Sequence, residues 1–175
     1  MENTIKTKFI IASEEGMNLY KQVGSTRIKE KYAEVLNTAK IEEYIQTKFN
    51  RDAMISELND FSNQGIMVYI DETPIGYAFL KKKTDSTPLL MNKKVSYLAD
   101  FEILNAFKNH QAEKVLLDKC IELSKSYDVI WSVGKKEDSV IQLLESYNFK
   151  NQGEKFYALG EATIEGVLLI KEIKK

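Results

Sequence analysis

The apolar and polar positions of residues 95–120 change from the period of a strand to the period of a helix. Residues 95–104 alternate between two faces, as the side chains of a strand do. From Ala112 to Cys120 the apolar residues recur at spacings of three and four, which predicts one face of a helix. The polar stretch 105–111 predicts a loop between them. Because the first turn of a helix has unpaired amides, this loop is a natural place for an anion.

The chain before this segment predicts one strand followed by short helices. Residues 6–12 are apolar enough for a strand, and a first helix is predicted to begin directly after it and to end near Gly24. Residues 25–36 carry many charges, and we interpret them as a loop or an irregular helix. Asn37 and Asn50 are each expected to cap a further helix with an apolar stripe.

The remaining segments predict a mixed sheet. Residues 66–83 form two β-rich runs around a proline-containing turn, which predicts an antiparallel hairpin. Residues 127–133 are almost continuously apolar, as in a strand covered on both faces, so Trp131 is expected in the core. A helix from about residue 139 and two further strands, 149–157 and 166–173, complete the chain. The single helix between the strands at 95 and 127 implies that these two run parallel.

Composition and charge restrict the possible functions. The chain has 175 residues, 43% of them hydrophobic, which predicts one domain over residues 1–175. The formal net charge is −1, so the chain lacks the excess of basic residues that would indicate a nucleic-acid partner. No apolar run reaches the roughly 20 residues that span a bilayer, and the first residues lack a signal-peptide core, so we expect a cytoplasmic protein without membrane contact. The sequence contains one histidine and one cysteine, Cys120. These two residues provide no cluster of metal ligands, so no metal site is predicted.

The order and lengths of these elements, together with several local motifs, resemble the GNAT N-acetyltransferase superfamily. The hairpin IMVYIDETPIGYAFLKKK places Gly76 where the family has a glycine, and VIWSVGKKEDSVIQLLESYNF has the length of a family strand–helix segment. The segment IEEYIQTKFNRDAMISEL resembles the branch that includes polyamine acetyltransferases, and GVLLIKEI resembles the closing strand. The resemblance implies an α/β (α+β) fold, with a mixed, mostly antiparallel twisted sheet of about seven strands flanked by helices. It also implies acetyl-CoA as the co-substrate and a small-molecule amine as the acceptor.

The resemblance further implies where acetyl-CoA is bound. Pantetheine pairs with the edge of the central strand, at the positions of Ile103 and Leu104. The pyrophosphate loop corresponds to Lys108, Asn109, His110, Gln111, Ala112 and Glu113, followed by Lys114. This loop lacks the glycines of the family, and the Glu113 carboxylate at ~5 Å from a phosphate costs about 1 kcal/mol even in water. Lys108 and Lys114 either offset this repulsion or are ordinary solvated lysines.

Candidate acid–base residues follow from the same comparison. Asp100 and Glu102 share one face of the central strand, and we interpret them either as the base that deprotonates the amine or as an exposed pair. The family's tyrosine acid corresponds to Leu144, which cannot donate a proton. Tyr147 lies one turn further and is the substitute candidate, although its spacing favours a core position. His110 is expected to be solvent-exposed or a weak phosphate contact.

Three functional hypotheses remain on the sequence alone. The first is an acetyl-CoA-dependent N-acetyltransferase acting on a small-molecule amine. The second is a binding or regulatory module of the same shape without turnover, since both the phosphate glycines and the tyrosine acid are missing. The third is a structural or oligomerising role, which no specific feature of the sequence supports. We favour the enzyme, because binding through the main chain survives side-chain changes. Exposed strand edges allow either a monomer or a homodimer.

Overall fold

A computed structural model describes residues 3–83, 87–108 and 110–173. Asn109, one of the predicted loop residues, lies outside the described residues. The helices and strands, in chain order, are β1 (Ile5–Phe9), α1 (Glu14–Tyr32), α2 (Thr38–Lys48), α3 (Arg51–Asn59), β2 (Gln64–Ile70), β3 (Thr73–Lys81), β4 (Val95–Ile103), α4 (Gln111–Leu123), β5 (Val129–Lys135), α5 (Val140–Ser146), β6 (Lys150–Glu154), β7 (Tyr157–Leu159), β8 (Ala162–Ile164) and β9 (Gly166–Glu172). The predicted order of strands and helices is confirmed, with β7 and β8 as an addition.

The main sheet has seven strands in the order β1-β2-β3-β4-β5-β9-β6, and β7 and β8 form a separate pair. Strands β4 and β5 run parallel, whereas β9 runs antiparallel to both of its neighbours, β5 and β6. The predicted mixed, mostly antiparallel sheet is therefore confirmed. The single return strand predicted over 149–157 is wrong: the β6–β9 register shifts between Asn151 and Glu154, and Gly153 has a φ of 100°. This irregularity lies within β6, which ends at Glu154, and β7 begins at Tyr157 in the separate pair.

The chain forms two compact units. The first consists of residues 1–79 and 100–119, and the second of residues 80–99 and 120–175, so β3, β4 and α4 each contribute to both. In the first unit the ring of Tyr20 packs edge-on against Phe49 and Tyr77, with both centroid distances 5.0 Å. These aromatic side chains are fully buried and join α1 to the strands. The single domain expected over 1–175 stays a prediction.

Helix α1 is longer than the sequence pattern indicates. The predicted end near Gly24 is wrong, because the helix continues to Tyr32. Of the segment interpreted as a loop or an irregular helix, residues 25–32 are helical and residues 33–36 form a turn. A Cβ atom at Gly24 would lie 2.2 Å from the Phe49 ring, so glycine permits the close approach of that ring. The glycine therefore serves packing inside the helix and does not end it.

The predicted helix starts are confirmed by side-chain caps. Ser13 Oγ accepts a hydrogen bond from the Gly16 amide at 3.0 Å, at the start of α1. Asn37 and Asn50 accept bonds from amides three residues later, at 2.9 and 2.8 Å, at the starts of α2 and α3. Each cap satisfies an amide that has no partner within its helix.

The second unit has its own core around the single tryptophan. Trp131 is 2% exposed and stacks on Tyr97 with a centroid distance of 4.0 Å. The Cys120 side chain is buried, and burial raises the pKa of its thiol to about 12. Both residues are therefore core residues, as the sequence predicts.

None of the described helices is long and apolar enough to cross a membrane. Within the same described ranges, no group of three or more His, Cys, Asp or Glu residues is placed to hold a metal ion.

Candidate functional site

The two carboxylates predicted on the central strand form ion pairs with side chains of helices α1 and α2. Asp100 Oδ2 lies 3.1 Å from Lys48 Nζ. Glu102 contacts two cations, with Oε1 at 2.6 Å from Lys31 Nζ and Oε2 at 3.1 Å from Arg27 Nε. All five residues belong to the first unit. The interpretation of Asp100 and Glu102 as an exposed pair is therefore wrong, since their side chains are only 18% and 10% exposed.

The spacing of the helical cations explains how two of them reach one carboxylate. Arg27 and Lys31 are four residues apart on α1, so they lie one above the other on the same face of the helix. The Arg27 side chain is only 4% exposed, so its charge is largely removed from water. Its ion pair with Glu102 offsets part of this desolvation cost. Lys48 stands at the end of α2 and supplies the cation for Asp100. Three cations thus face two carboxylates.

Electrostatic effects around Asp100 shift the pKa values of three neighbouring side chains. Burial lowers the pKa of Lys48, but the nearby Asp100 carboxylate raises it, and the result lies well above the ordinary value for lysine. Burial raises the pKa values of Tyr20 and Tyr77 well above that of a free phenol, and Asp100 raises both further. At neutral pH Lys48 is therefore charged, and both phenols are neutral.

Tyr44 is a site residue that the sequence pattern assigned to the apolar stripe of α2. Burial raises the pKa of its phenol, which also interacts electrostatically with Lys48, Asp100, Glu102 and Lys31. Tyr44 is half-buried and precedes Lys48 by one helical turn. The spacing of four between Tyr44 and Lys48 was the signal that could have placed them on one face.

The main chain at the end of β4 is paired with β3 at one of the two positions predicted to contact pantetheine. The Leu104 amide donates to the Ile75 carbonyl at 2.9 Å. A Cβ at Gly76 would lie 2.5 Å from the Glu102 carbonyl oxygen, so β3 and β4 approach closely there. Because successive residues of a strand direct their main-chain groups to opposite edges, the Ile103 amide is directed away from β3. Of the two predicted residues, Ile103 is the one whose main chain suits a new partner.

The parallel ladder between β4 and β5 is short. It joins Val95–Tyr97 to Val129–Trp131, whereas β5 and β9 pair over seven residues. At the next position Ser132 Oγ donates to the Leu98 carbonyl at 2.8 Å, and Ser132 is 6% exposed. A side-chain hydrogen bond thus satisfies a carbonyl just where the ladder stops. Sequence reasoning missed Ser132, since a serine within an apolar strand carries no signal of its partner.

The loop predicted to hold the pyrophosphate leads into α4 through a capping histidine. A short 3₁₀ turn, Asn105–Phe107, follows β4. His110 Nδ1 accepts a hydrogen bond from the Ala112 amide at 3.2 Å, and the His110 carbonyl accepts from the Glu113 amide at 3.0 Å. Two amides of the first helical turn are therefore already paired. The imidazole therefore caps the start of α4.

The other predicted loop residues differ in their exposure. Gln111 and Lys114 are exposed, and Lys108 is half-buried. Ala112 is fully buried, and Glu113 is only 8% exposed. The Glu113 side chain is thus largely enclosed by protein, while Gln111 and Lys114 are open to solvent. The role of these residues in binding a nucleotide stays a prediction.

Tyr147, the substitute acid, lies in the second unit, whereas Asp100 and Glu102 lie together in the first. It follows the last turn of α5 and is half-buried. Its carbonyl accepts a hydrogen bond from Lys171 Nζ at 2.7 Å. Leu144, at the position of the family's tyrosine, is 1% exposed and packs in the core. The proton-donating role of Tyr147 stays a prediction.

Comparison with solved structures identifies the fold. No family model matches the chain. The PaiA N-acetyltransferase from Thermoplasma acidophilum, solved in complex with coenzyme A, is similar with a TM-score of 0.71 and 16% identity, over 97% of this chain and 99% of that one. The ribosomal-protein-S18-alanine N-acetyltransferase from Escherichia coli has a TM-score of 0.65 and 10% identity, over 99% and 96%. A probable acetyltransferase from Staphylococcus epidermidis has a TM-score of 0.71 and 11% identity, over 98% and 100%. The chain therefore has the N-acetyltransferase fold.

Proposed function

Because the chain has the fold of N-acetyltransferases, we propose that it transfers the acetyl group of acetyl-CoA to the amine of a small molecule. The observation that carries this proposal is the early end of the β4–β5 ladder, which joins Val95–Tyr97 to Val129–Trp131. A strand whose pairing stops can accept an extended ligand as an additional hydrogen-bonded partner. The pantetheine arm of coenzyme A is such a ligand, with two amide groups. The neighbour from Thermoplasma acidophilum, solved with coenzyme A, further supports this choice.

The residues of this chain would bind acetyl-CoA mainly through the main chain. The Ile103 amide, directed away from β3, supplies a donor at the end of β4, and Leu104 follows at the start of the loop. The first turn of α4 and the ammonium groups of Lys108 and Lys114 would face the phosphates. His110 fits this arrangement only if its ring releases the Ala112 amide when the phosphate arrives. Gln111 adds an exposed side-chain amide at the same turn.

The acid–base chemistry assigns distinct tasks to the remaining residues. The acceptor ammonium loses a proton to Asp100 or Glu102, directly or through a water molecule. The amine nitrogen then attacks the thioester carbon, so that a C–N bond forms and the C–S bond breaks. Amides of β4 stabilise the oxyanion that forms in between. The departing thiolate takes a proton, for which Tyr147 is the candidate donor.

A free-thiol assay with acetyl-CoA and a panel of small amines tests this function. Asp100→Asn and Glu102→Gln are the test variants. The variant that removes the base should lower kcat by a factor of about 10² to 10⁴. The matched control is Asp118→Asn, because Asp118 is an exposed carboxylate on α4. Thermal unfolding of each variant separates loss of the base from loss of the ion pairs with Arg27, Lys31 and Lys48. No thiol release by the wild-type protein with any amine of the panel would overturn the enzymatic proposal.

A second function, a binding module without turnover, is favoured by one specific observation. The His110 ring already occupies the Ala112 amide, and the loop has no glycine. Thermal unfolding with acetyl-CoA distinguishes the two. At ~100 times its dissociation constant, a bound ligand adds about 2.7 kcal/mol and raises Tm by several degrees. A Tm shift without thiol release identifies a module that binds acetyl-CoA without turnover, and no shift at millimolar acetyl-CoA rejects the enzyme.

A further inference from the structure

A groove of about 780 Å³ lies within the second unit and is rich in lysine. Its lining includes Lys93, Lys125, Lys150 and Lys171, and Glu172 is the one acidic side chain among its described lining residues. The whole chain, by contrast, has 25 basic and 26 acidic residues. The positive charge of this lysine groove is therefore a local concentration and does not reflect the composition of the chain.

Two of the four lysines make ion-pair or hydrogen-bond contacts with other described residues of the second unit, and two differ from them in this respect. Lys93 Nζ lies 3.2 Å from Glu172 Oε1, and Lys171 Nζ donates to the Tyr147 carbonyl at 2.7 Å. Lys125 and Lys150 are exposed, and the described residues offer neither of them an ion pair. Two ammonium groups are thus available to a ligand without breaking an existing contact. An anion at this place gains their attraction without displacing a carboxylate.

The same groove has an aliphatic surface. Leu89, Ile121, Ile170 and Ile173 line it, and Leu89 is 48% exposed. No aromatic side chain is among the described residues of the lining, so the groove offers no ring on which a nucleotide base could stack. A volume of this size falls in the range of about 300–1,000 Å³ that small-molecule sites occupy. The surface suits a flexible aliphatic chain.

From this combination we propose that the lysine groove binds an anionic amphiphile, namely a long-chain carboxylate. The carboxylate pairs with Lys125 and Lys150, and the alkyl chain covers Leu89 and Ile121. The pairing is charge-assisted, and the chain removes exposed aliphatic surface from water. The site belongs to the second unit, whereas Asp100 and Glu102 belong to the first, so the proposal does not depend on the acetyl-transfer function.

The protein contains its own reporter for this binding. Trp131 is the single tryptophan of the chain, and it packs in one apolar cluster with Leu90 and Ile170. Ile170 also lines the lysine groove, so the groove and the apolar cluster of the indole share this side chain. Occupation of the groove should therefore change the fluorescence of Trp131. Calorimetric titration provides the affinity independently of this signal.

The experiment titrates the full chain with dodecanoate below its micelle concentration. We expect saturable binding that the double variant Lys125→Glu/Lys150→Glu weakens at least about tenfold, since two attractive charges become repulsive. The matched control Lys21→Glu/Lys40→Glu changes the net charge equally at exposed lysines of the first unit and should stay within about twofold. Leu89→Ser should also weaken binding, because it removes part of the aliphatic surface.

Three comparison ligands complete the test. Acetate has the charge without the chain, dodecyltrimethylammonium has the chain with the opposite charge, and a poly-glutamate peptide has many charges without a chain. Weaker binding of all three than of dodecanoate supports the proposal. It is overturned if dodecanoate does not saturate, if Lys125→Glu/Lys150→Glu leaves its affinity unchanged, or if any of the three comparison ligands binds as tightly. Circular dichroism of each variant verifies that the fold is retained.

Discussion

Lys48 Nζ lies 3.1 Å from Asp100 Oδ2, and the two side chains are 16% and 18% exposed. The contact joins the end of α2 to the end of β4 across 52 residues of sequence. Two opposite charges that are largely removed from water stabilise each other, because each offsets part of the desolvation cost of the other. The pair therefore belongs to the stability of the first unit as well as to its chemistry.

Replacement of one member of this pair should be more costly than replacement of both. We expect Lys48→Met to lower the free energy of unfolding by about 3 kcal/mol, because the largely buried Asp100 carboxylate loses its ion pair with Lys48. The double variant Lys48→Met/Asp100→Asn should lose less than the sum of the single variants. Urea denaturation of the four proteins measures this coupling. Lys40→Met, at an exposed position of the same helix, is the control and should change stability by less than about 0.5 kcal/mol. Additive losses would contradict the pairing.

Alkaline pH should destabilise the first unit through Lys48, Tyr20 and Tyr77. Their folded-state pKa values lie above the ordinary ones, so the unfolded chain loses these protons first as the pH rises. The stabilisation is therefore fully present below the unfolded pKa values, near pH 10, and is lost above them as the folded groups titrate. Denaturation at pH 8 and at pH 10.5 should show a clear fall in the free energy of unfolding.

Tyr20→Phe tests the contribution of one phenol to that fall. The variant retains the ring that packs on Phe49 but removes the hydroxyl, which donates to Glu57 Oε2 at 3.1 Å. At pH 8 it should lose about 1 kcal/mol of stability. Above pH 10 its loss relative to the wild type should shrink, since the variant has one group fewer to titrate. A constant difference between the two curves would show that Tyr20 does not contribute to the pH dependence.

The sequence predicted the elements that depend on neighbours along the chain. The caps at Asn37 and Asn50 and the hairpin of β2 and β3 follow from residues close together, and each was found. The charged stretch 25–36 was interpreted as a loop or an irregular helix, because the sequence does not show that its charged side chains contact a distant residue. Arg27 and Lys31 look like solvated residues in sequence, yet both contact Glu102, which lies more than 70 residues away. Periodicity cannot reveal such a partner.

The sequence names candidate residues for the site but not their contacts, and the catalytic and binding roles of these residues stay predictions. Asp100 and Glu102 were identified from the alternation of one strand, and the structure adds the cations that surround them. The capping role of His110 was missed, because the comparison with a glycine-rich phosphate loop concerns main-chain amides. It does not predict that a side chain accepts a hydrogen bond from one of them. Ser132 was missed since its hydrogen bond to Leu98 depends on where a ladder stops.

The His110 cap leads to two opposite effects of one substitution. His110→Ala should lower stability by about 1 kcal/mol, because the Ala112 amide loses its acceptor at the start of α4. If the ring competes with a phosphate for that amide, the same variant should bind acetyl-CoA several-fold more tightly. Gln111→Ala, at the exposed next position, is the control. Calorimetry and thermal unfolding measure both effects. Weaker binding by His110→Ala would show that the imidazole contacts the phosphate itself.

Ser132 should influence acetyl-CoA binding beyond its effect on stability. Ser132→Ala removes the donor to the Leu98 carbonyl at 2.8 Å and should cost about 1 to 2 kcal/mol, because a buried acceptor is left unpaired. That carbonyl lies directly after the last β4–β5 pair, so its orientation also sets the course of the strand. Under the proposed function we therefore expect a several-fold weaker binding of acetyl-CoA.

Ser124→Ala is the matched control for this last effect. Ser124 Oγ donates to Ser96 Oγ at 3.1 Å, and Ser124 is fully buried in the same unit. Both substitutions delete one buried hydroxyl and should destabilise the protein to a similar degree. Only Ser132→Ala removes a contact at the end of the ladder, so only this variant should change the affinity for acetyl-CoA. Equal affinities of the two variants would mean that the Ser132 hydroxyl stabilises the core without shaping the strand edge.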